Sequence, residues 1–137
     1  MALILKRLND QVAFEATSDE GQKIQFDANP AAGGQGLGIR PMEALASSVA
    51  SCASIDILLI LKKKRITLSN YEVEIITERK DATPAPFTSI HLLFKIGEND
   101  PIEQVQKAVA LGVEKYCSVS ASLDPTIKIT HEVVQQA

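Results

Sequence analysis

The chain predicts an α+β fold with the order three strands, long helix, two strands, helix, strand. Three observations predict it. Short apolar clusters separated by turn sequences fill the first thirty positions, one long apolar run spans Ala44 to Leu61, and alternation of period two returns at Tyr71. No βαβ unit repeats, which excludes a doubly wound parallel sheet.

The elements follow in order. Leu3 to Leu5, Val12 with Phe14, and Ile24 with Phe26 are apolar clusters broken by Asn9-Asp10 and by Ser18-Asp19-Glu20-Gly21, the composition of a three-stranded meander. Asn29 to Gly38 is rich in glycine and carries Pro30, so regular structure there is costly and a long surface loop is expected. From Pro41 a helix runs to about Lys64. Proline suits its first turn, Glu43 lies near the positive end of the dipole, and Lys62 to Lys64 lie at the negative end. Between Ala44 and Ser54 every residue except Leu45 and Val49 is Ala, Ser or Cys, which permits close backbone approach, whereas Ile55 to Leu61 reads as bulky core.

Tyr71, Val73, Ile75 and Thr77 alternate with Glu72, Glu74, Ile76 and Glu78, a strand with one mostly solvated face. Its partner is Phe87 to Ile96, after the Pro84-Ala-Pro86 turn. Asp100-Pro101-Ile102-Glu103 then resembles a capping box with Asp100 as the cap. The second helix is expected through Tyr116, with Ile102, Val105, Val109, Val113 and Tyr116 as its buried stripe and Cys117 near the same face. A last strand starts near Asp124-Pro125, with Ile127, Ile129, His131 and Val133 on one face.

Composition bounds the function. With 137 residues, 45% of them apolar, the chain can bury the core of a single domain over residues 1–137 without staples. A net charge of −3 and few aromatic residues leave no footprint for nucleic acid. The basic residues Lys6 and Arg7 follow a short apolar run, the reverse of a secretory signal, so a cytoplasmic protein is expected. The apolar run is interrupted by Asp56 and falls short of the roughly 20 residues a bilayer requires, so it is read as a core helix and no membrane association is expected.

Chemistry concentrates in Cys52 and Cys117, the only two thiols. Their separation, 117 − 52 = 65 positions, excludes a Cys-x-x-Cys redox turn and a local zinc knuckle, so only the fold could unite them. In a reducing compartment the options are two inert core thiols or a redox couple, and composition alone favours the inert pair. Gly34-Gln-Gly36-Leu-Gly38 has G-x-G spacing but no Lys-Ser/Thr and no phosphate-facing turn into the helix, so nucleotide binding is not expected. His91 and His131 lack further ligands at metal spacing, and structural roles are expected for both, with no metal and no cofactor.

Three segments carry a resemblance: Pro41-Met-Glu-Ala-Leu-Ala-Ser-Ser-Val-Ala-Ser-Cys52, Thr77-Glu-Arg-Lys with Phe87-Thr-Ser-Ile-His91, and Glu114-Lys-Tyr-Cys-Ser-Val119. Together they resemble the OsmC/Ohr family of osmotically inducible and organic hydroperoxide resistance proteins, in its shorter OsmC-like branch. The resemblance implies an intertwined homodimer with central long helices and a two-cysteine peroxide reductase site at the subunit interface, where Cys52 is the peroxidatic thiol and Cys117 the resolving one. A free thiol ionises near pH 8.5, and such a site needs a neighbouring cation to favour thiolate. The family supplies an arginine and a glutamate, the acid directly after the helix-starting proline.

This chain departs at that point. Met42 occupies the acid's place, and Glu43 comes nine positions before Cys52, which at about 100° per residue lies roughly opposite the sulfur. Arg7, before Asn9-Asp10, corresponds to the family's hairpin arginine without its glycine-rich context, and Arg40 and Arg79 are rivals for that role. The leading expectation is a reductase of organic hydroperoxides, alkyl or lipid, regenerated by an external dithiol reductant. The alternatives are a non-catalytic dimer of this fold that binds a small apolar or electrophilic ligand, and a thiol redox sensor.

Overall fold

The computed structural model describes all residues from Met1 to Ala137. Two compact units are distinguished, Met1–Leu45 and Ala46–Ala137.

The first unit is the meander. Strands β1 (Ile4–Arg7), β2 (Phe14–Thr17) and β3 (Lys23–Phe26) form an antiparallel sheet in the order β1-β2-β3. The turn chemistry read from the sequence holds: Asn9 Oδ1 accepts from the N–H groups of Gln11 and Ala13, and Gly21 takes a φ of +90° at the second turn. The glycine-rich loop is more ordered than its composition implies. It opens with a single 3-10 turn, Pro30–Ala32, capped by the side chain of Asn29. Buried Asp27 then accepts hydrogen bonds from the backbone N–H groups of Gln35, Leu37 and Ala28, which hold its carboxyl below the usual range. Leu3, Ile4, Leu5, Leu8 and Ile24 remain exposed.

Helix α1 (Pro41–Lys63) begins in the first unit and continues through the second. The expected cap signals operate, since the Glu43 carboxylate accepts from the Arg40 N–H at 3.0 Å and satisfies one donor that a helix start leaves orphaned. The C-terminus closes with Ile66 N–H bonded to Leu61 O across Arg65, which takes a left-handed φ of +58° where glycine is usual. By length and composition α1 could cross a bilayer, yet Ala46, Val49, Ala50, Ala53, Ile57 and Leu61 form a stripe buried inside the fold. The reading of Ile55 to Leu61 as uniformly core is corrected: Ile55, Leu58 and Leu59 are exposed, because at 3.6 residues per turn they fall away from the Ile57–Leu61 edge.

The second unit holds a sheet in the order β4-β5-β6, with β4 (Tyr71–Arg79) antiparallel and β6 (Lys128–Gln136) parallel to central β5 (Phe87–Gly97). Ile90, Leu92, Phe94 and Ile96 alternate along β5 and are fully buried, while β4 keeps the predicted solvated face of glutamates. A parallel neighbour requires a crossover, and α2 (Ile102–Leu111) supplies it.

Two expectations about this crossover are corrected. Asp100 does not cap α2. Its carboxylate accepts from Ser69 N–H and Oγ–H and from Gly97 N–H, tying the entry of β4 to the end of β5, and its carboxyl is held below the usual range by the Ser69 backbone bond first. The second helix also does not run regularly to Tyr116. It ends at Leu111 and widens into a π-helical turn, Gly112–Tyr116, which changes the phase of the stripe. Val105, Val109 and Val113 are buried as expected, but Tyr116 is turned out to 48% exposure. The segment after Cys117 forms a further short helix, α3 (Ser118–Ala121).

Candidate active site

Cys52 lies on α1, one turn after Val49 and at the margin of the buried stripe, where its side chain is half-buried. By helical period it shares its outer flank with Ile55 and Leu59, both exposed and apolar. Cys117 lies where the π-helical turn hands over to α3, and its thiol is buried.

Cys117 reaches the backbone of α1. The Cys117 thiol donates to the carbonyl oxygen of Val49 at 3.7 Å, which sets its sulfur against the turn of α1 that carries Cys52. The chain thus brings the two cysteines near each other, and both are free thiols. The Cys117 sulfur also receives hydrogen bonds, from the Ser120 N–H at 3.4 Å and from the Ser120 hydroxyl at 3.1 Å. It therefore takes the place of an N-cap side chain for α3.

Close approach at this point depends on a small residue. A methyl group added at Gly112 would fall 2.6 Å from Ile57 Cγ1 and 3.0 Å from the Ala53 carbonyl oxygen, so the π-helical turn lies directly on α1 one residue beyond Cys52. The small-residue stretch Ala44 to Ser54 predicted such an approach, although it did not identify the partner. A second tether fixes the turn from the other side, because His131 Nε2 on β6 lies 3.2 Å from Glu114 Oε2. The other histidine, His91, pairs through Nδ1 with Thr130 Oγ1 at 2.7 Å, on the neighbouring strand in register.

The charged residues singled out in the sequence are engaged as follows. Arg7 donates from Nε to the Gln11 carbonyl and from its terminal nitrogen to that of Asp10, closing its own hairpin. Arg79 donates to the Ala85 carbonyl across the β4–β5 turn. Glu43 and Arg40 meet at the start of α1. Sequence reasoning missed Ser120, Gly112 and the Val49 carbonyl. Gly112 had a legible signal, a glycine inside an apolar helical pattern, whereas Ser120 had none, because no helix start was expected at Cys117. The backbone carbonyl had none.

Comparison with known proteins identifies the family and the fold. The family model described as OsmC-like protein matches residues 33–132. Protein YhfA of Escherichia coli K12 is 34% identical over 121 residues, covering 88% of this chain and 87% of that protein. A hypothetical protein from Aquifex aeolicus VF5 superposes with a TM-score of 0.78 at 28% identity, covering 99% of this chain and 97% of its own. The organic hydroperoxide resistance protein OhrB of Bacillus subtilis shares the fold, with a TM-score of 0.66 at 17% identity and 98% coverage of both chains.

Proposed function

Because the chain belongs to the OsmC-like protein family, we propose that it is a two-cysteine reductase of organic hydroperoxides, with Cys52 as the peroxidatic thiol and Cys117 as the resolving thiol. The single observation that carries this reading is the hydrogen bond from the buried Cys117 thiol to the Val49 carbonyl, one turn before a half-buried and reduced Cys52. Two inert core cysteines would not need one to be accessible and the other aimed at its helix turn.

The chemistry runs as two displacements. The Cys52 thiolate attacks one oxygen of R–O–O–H, the O–O bond breaks, and alkoxide leaves and takes up a proton while sulfur becomes sulfenic acid. Cys117 then attacks that sulfur. A disulfide forms, and hydroxide leaves with the thiol proton as water. An external dithiol returns both cysteines to thiols and is itself oxidised. The disulfide needs α-carbons within about 7 Å. The apolar flank of Ile55 and Leu59 beside Cys52, placed at a subunit interface in this reading, supports alkyl or lipid hydroperoxides as the substrate class. The same strip, with Leu58 and the exposed residues of β1, supports a homodimer in which these faces are covered by a second copy. Arg7, Arg79 and Arg40 are the candidates for the cation beside Cys52, with Glu43 as the accompanying acid, in a cytoplasmic protein.

Equimolar cumene hydroperoxide added to the reduced protein tests this reading. Two thiols should be lost per peroxide in the wild type, one in Cys117→Ser with a trapped sulfenic acid, and none in Cys52→Ser. Unchanged peroxide consumption by Cys52→Ser overturns it.

A second reading is favoured by Met42 and by the engagement of Glu43 as a helix cap. In that reading the dimer binds a small apolar or electrophilic ligand without turnover, or senses oxidants through the same thiols. Ligand binding with no Cys52–Cys117 disulfide after peroxide treatment supports the binder, and a disulfide formed without sustained turnover supports the sensor.

A further inference from the structure

We infer that Ser120 is a positioning residue for the disulfide-forming step: its hydroxyl and backbone N–H hold the Cys117 sulfur in the rotamer that faces the Cys52 turn of α1. The inference rests on the two-cysteine reading above and adds to it a residue outside the thiol pair.

Three contacts surround the sulfur. Ser120 donates to it twice, from Oγ at 3.1 Å and from N at 3.4 Å, and the thiol's own proton is directed to the Val49 carbonyl at 3.7 Å. A sulfur that accepts on one side and donates on the other has a single side-chain orientation that satisfies all three. Releasing the Oγ contact frees the side chain to rotate, since the remaining N–H bond is long and sulfur is a weak acceptor. The attack geometry matters because the displacement at Cys52 requires sulfur to approach along the breaking S–O bond. Ser120 also donates to the sulfur as the thiol proton departs with the leaving hydroxide. Charge that develops on Cys117 is thereby met by an existing donor.

The neighbouring serine gives an internal control. Ser122 lies on the same short turn, and its hydroxyl donates to the Ser118 carbonyl at 2.9 Å, without touching the sulfur. Loss of either hydroxyl loosens α3, but only Ser120→Ala releases Cys117.

Diamide closes the dithiol without any peroxide: the N=N bond takes up two protons and two electrons as the two thiols become one disulfide. Closure is followed by quenched mass spectrometry in the reduced full-length wild type, Ser120→Ala, Ser120→Thr and Ser122→Ala, each first checked by far-UV circular dichroism. Loss of one hydrogen bond predicts closure roughly five- to tenfold slower in Ser120→Ala, rescue in Ser120→Thr, and little change in Ser122→Ala. With cumene hydroperoxide and dimedone, Ser120→Ala should accumulate more trapped Cys52 sulfenic acid than the wild type. Closure of Ser120→Ala at the wild-type rate, or equal slowing in Ser122→Ala, overturns the assignment. If the wild type reduces no peroxide while diamide closure keeps its dependence on Ser120, the peroxidase reading fails and the positioning role stands.

Discussion

Gly112 lies so close to Ile57 that a single added methyl group would sit 2.6 Å from Ile57 Cγ1. The contact presses the π-helical turn onto α1, and Cys117 follows five residues later. Packing at a non-catalytic glycine thus sets where the second thiol can reach.

Gly112→Ala measures that contact. Alanine at a helical position gains about 1 kcal/mol over glycine, whereas overpacking a filled core costs about 1–3 kcal/mol. The Ala53 carbonyl is backbone and cannot step aside, so the cost should win. Urea unfolding should show a net loss of up to about 2 kcal/mol, together with slower disulfide closure. A more stable Gly112→Ala protein is incompatible with the close approach.

Arg65 offers the opposite case. It holds a left-handed φ of +58° at the end of α1, a conformation that costs a residue with a Cβ about 1–2 kcal/mol. Glycine removes that strain but adds unfolded-state freedom worth about 0.4–1 kcal/mol. Arg65→Gly should therefore raise stability by up to about 1 kcal/mol, read as a higher urea midpoint with unchanged slope. A lower midpoint would show that the arginine side chain contributes more than its backbone costs.

Acid stability should depend on Asp27 and Asp100. Backbone bonds from Gln35, Leu37 and Ala28 lower the pKa of Asp27, and bonds led by the Ser69 backbone lower that of Asp100, both from an ordinary 3.8. A folded-state value below the unfolded one means stability that is fully present above the unfolded value and lost as pH falls through the folded one. The melting temperature should therefore be flat near neutrality with respect to these groups and decline below about pH 4. Asp100→Asn should melt lower at pH 7 and show a shallower acid limb. An acid limb identical to that of the wild type would remove Asp100 from this account.

The exposed strip of α1 bears on assembly. Ile55 is 62% and Leu59 53% exposed in the single chain, an unusual state for large apolar side chains in adjacent turns. In the proposed homodimer they are covered, and Leu59→Glu should shift sedimentation toward monomer without loss of helical circular dichroism. Identical sedimentation of Leu59→Glu and wild type would place the interface elsewhere.

Much of the fold was legible because its determinants are local. Asn9-Asp10 and Gly21 turn the meander, Pro41 and Glu43 start α1, and the alternation from Tyr71 builds β4, each through the backbone preferences of a few neighbouring residues. The failures cluster where a distant group outcompetes the local one. Asp100 reads as a cap, but Ser69, thirty-one positions away, offers its carboxylate two donors, N–H and Oγ–H, and takes it. Tyr116 reads as the end of a buried stripe, but the π-helical turn rotates it outward.

The sequence by itself determined the order of elements, the two thiols as the only cysteines, and their mounting on a small-residue helix and a helix end. Short-range sterics and capping suffice for that. Only tertiary structure decided that Cys117 faces the Val49 carbonyl and that Gly112 admits it, whereas the grip of Ser120 on the sulfur is a local cap contact three residues long. The first two contacts join positions up to sixty-eight residues apart, and no local preference encodes a distance that packing alone creates.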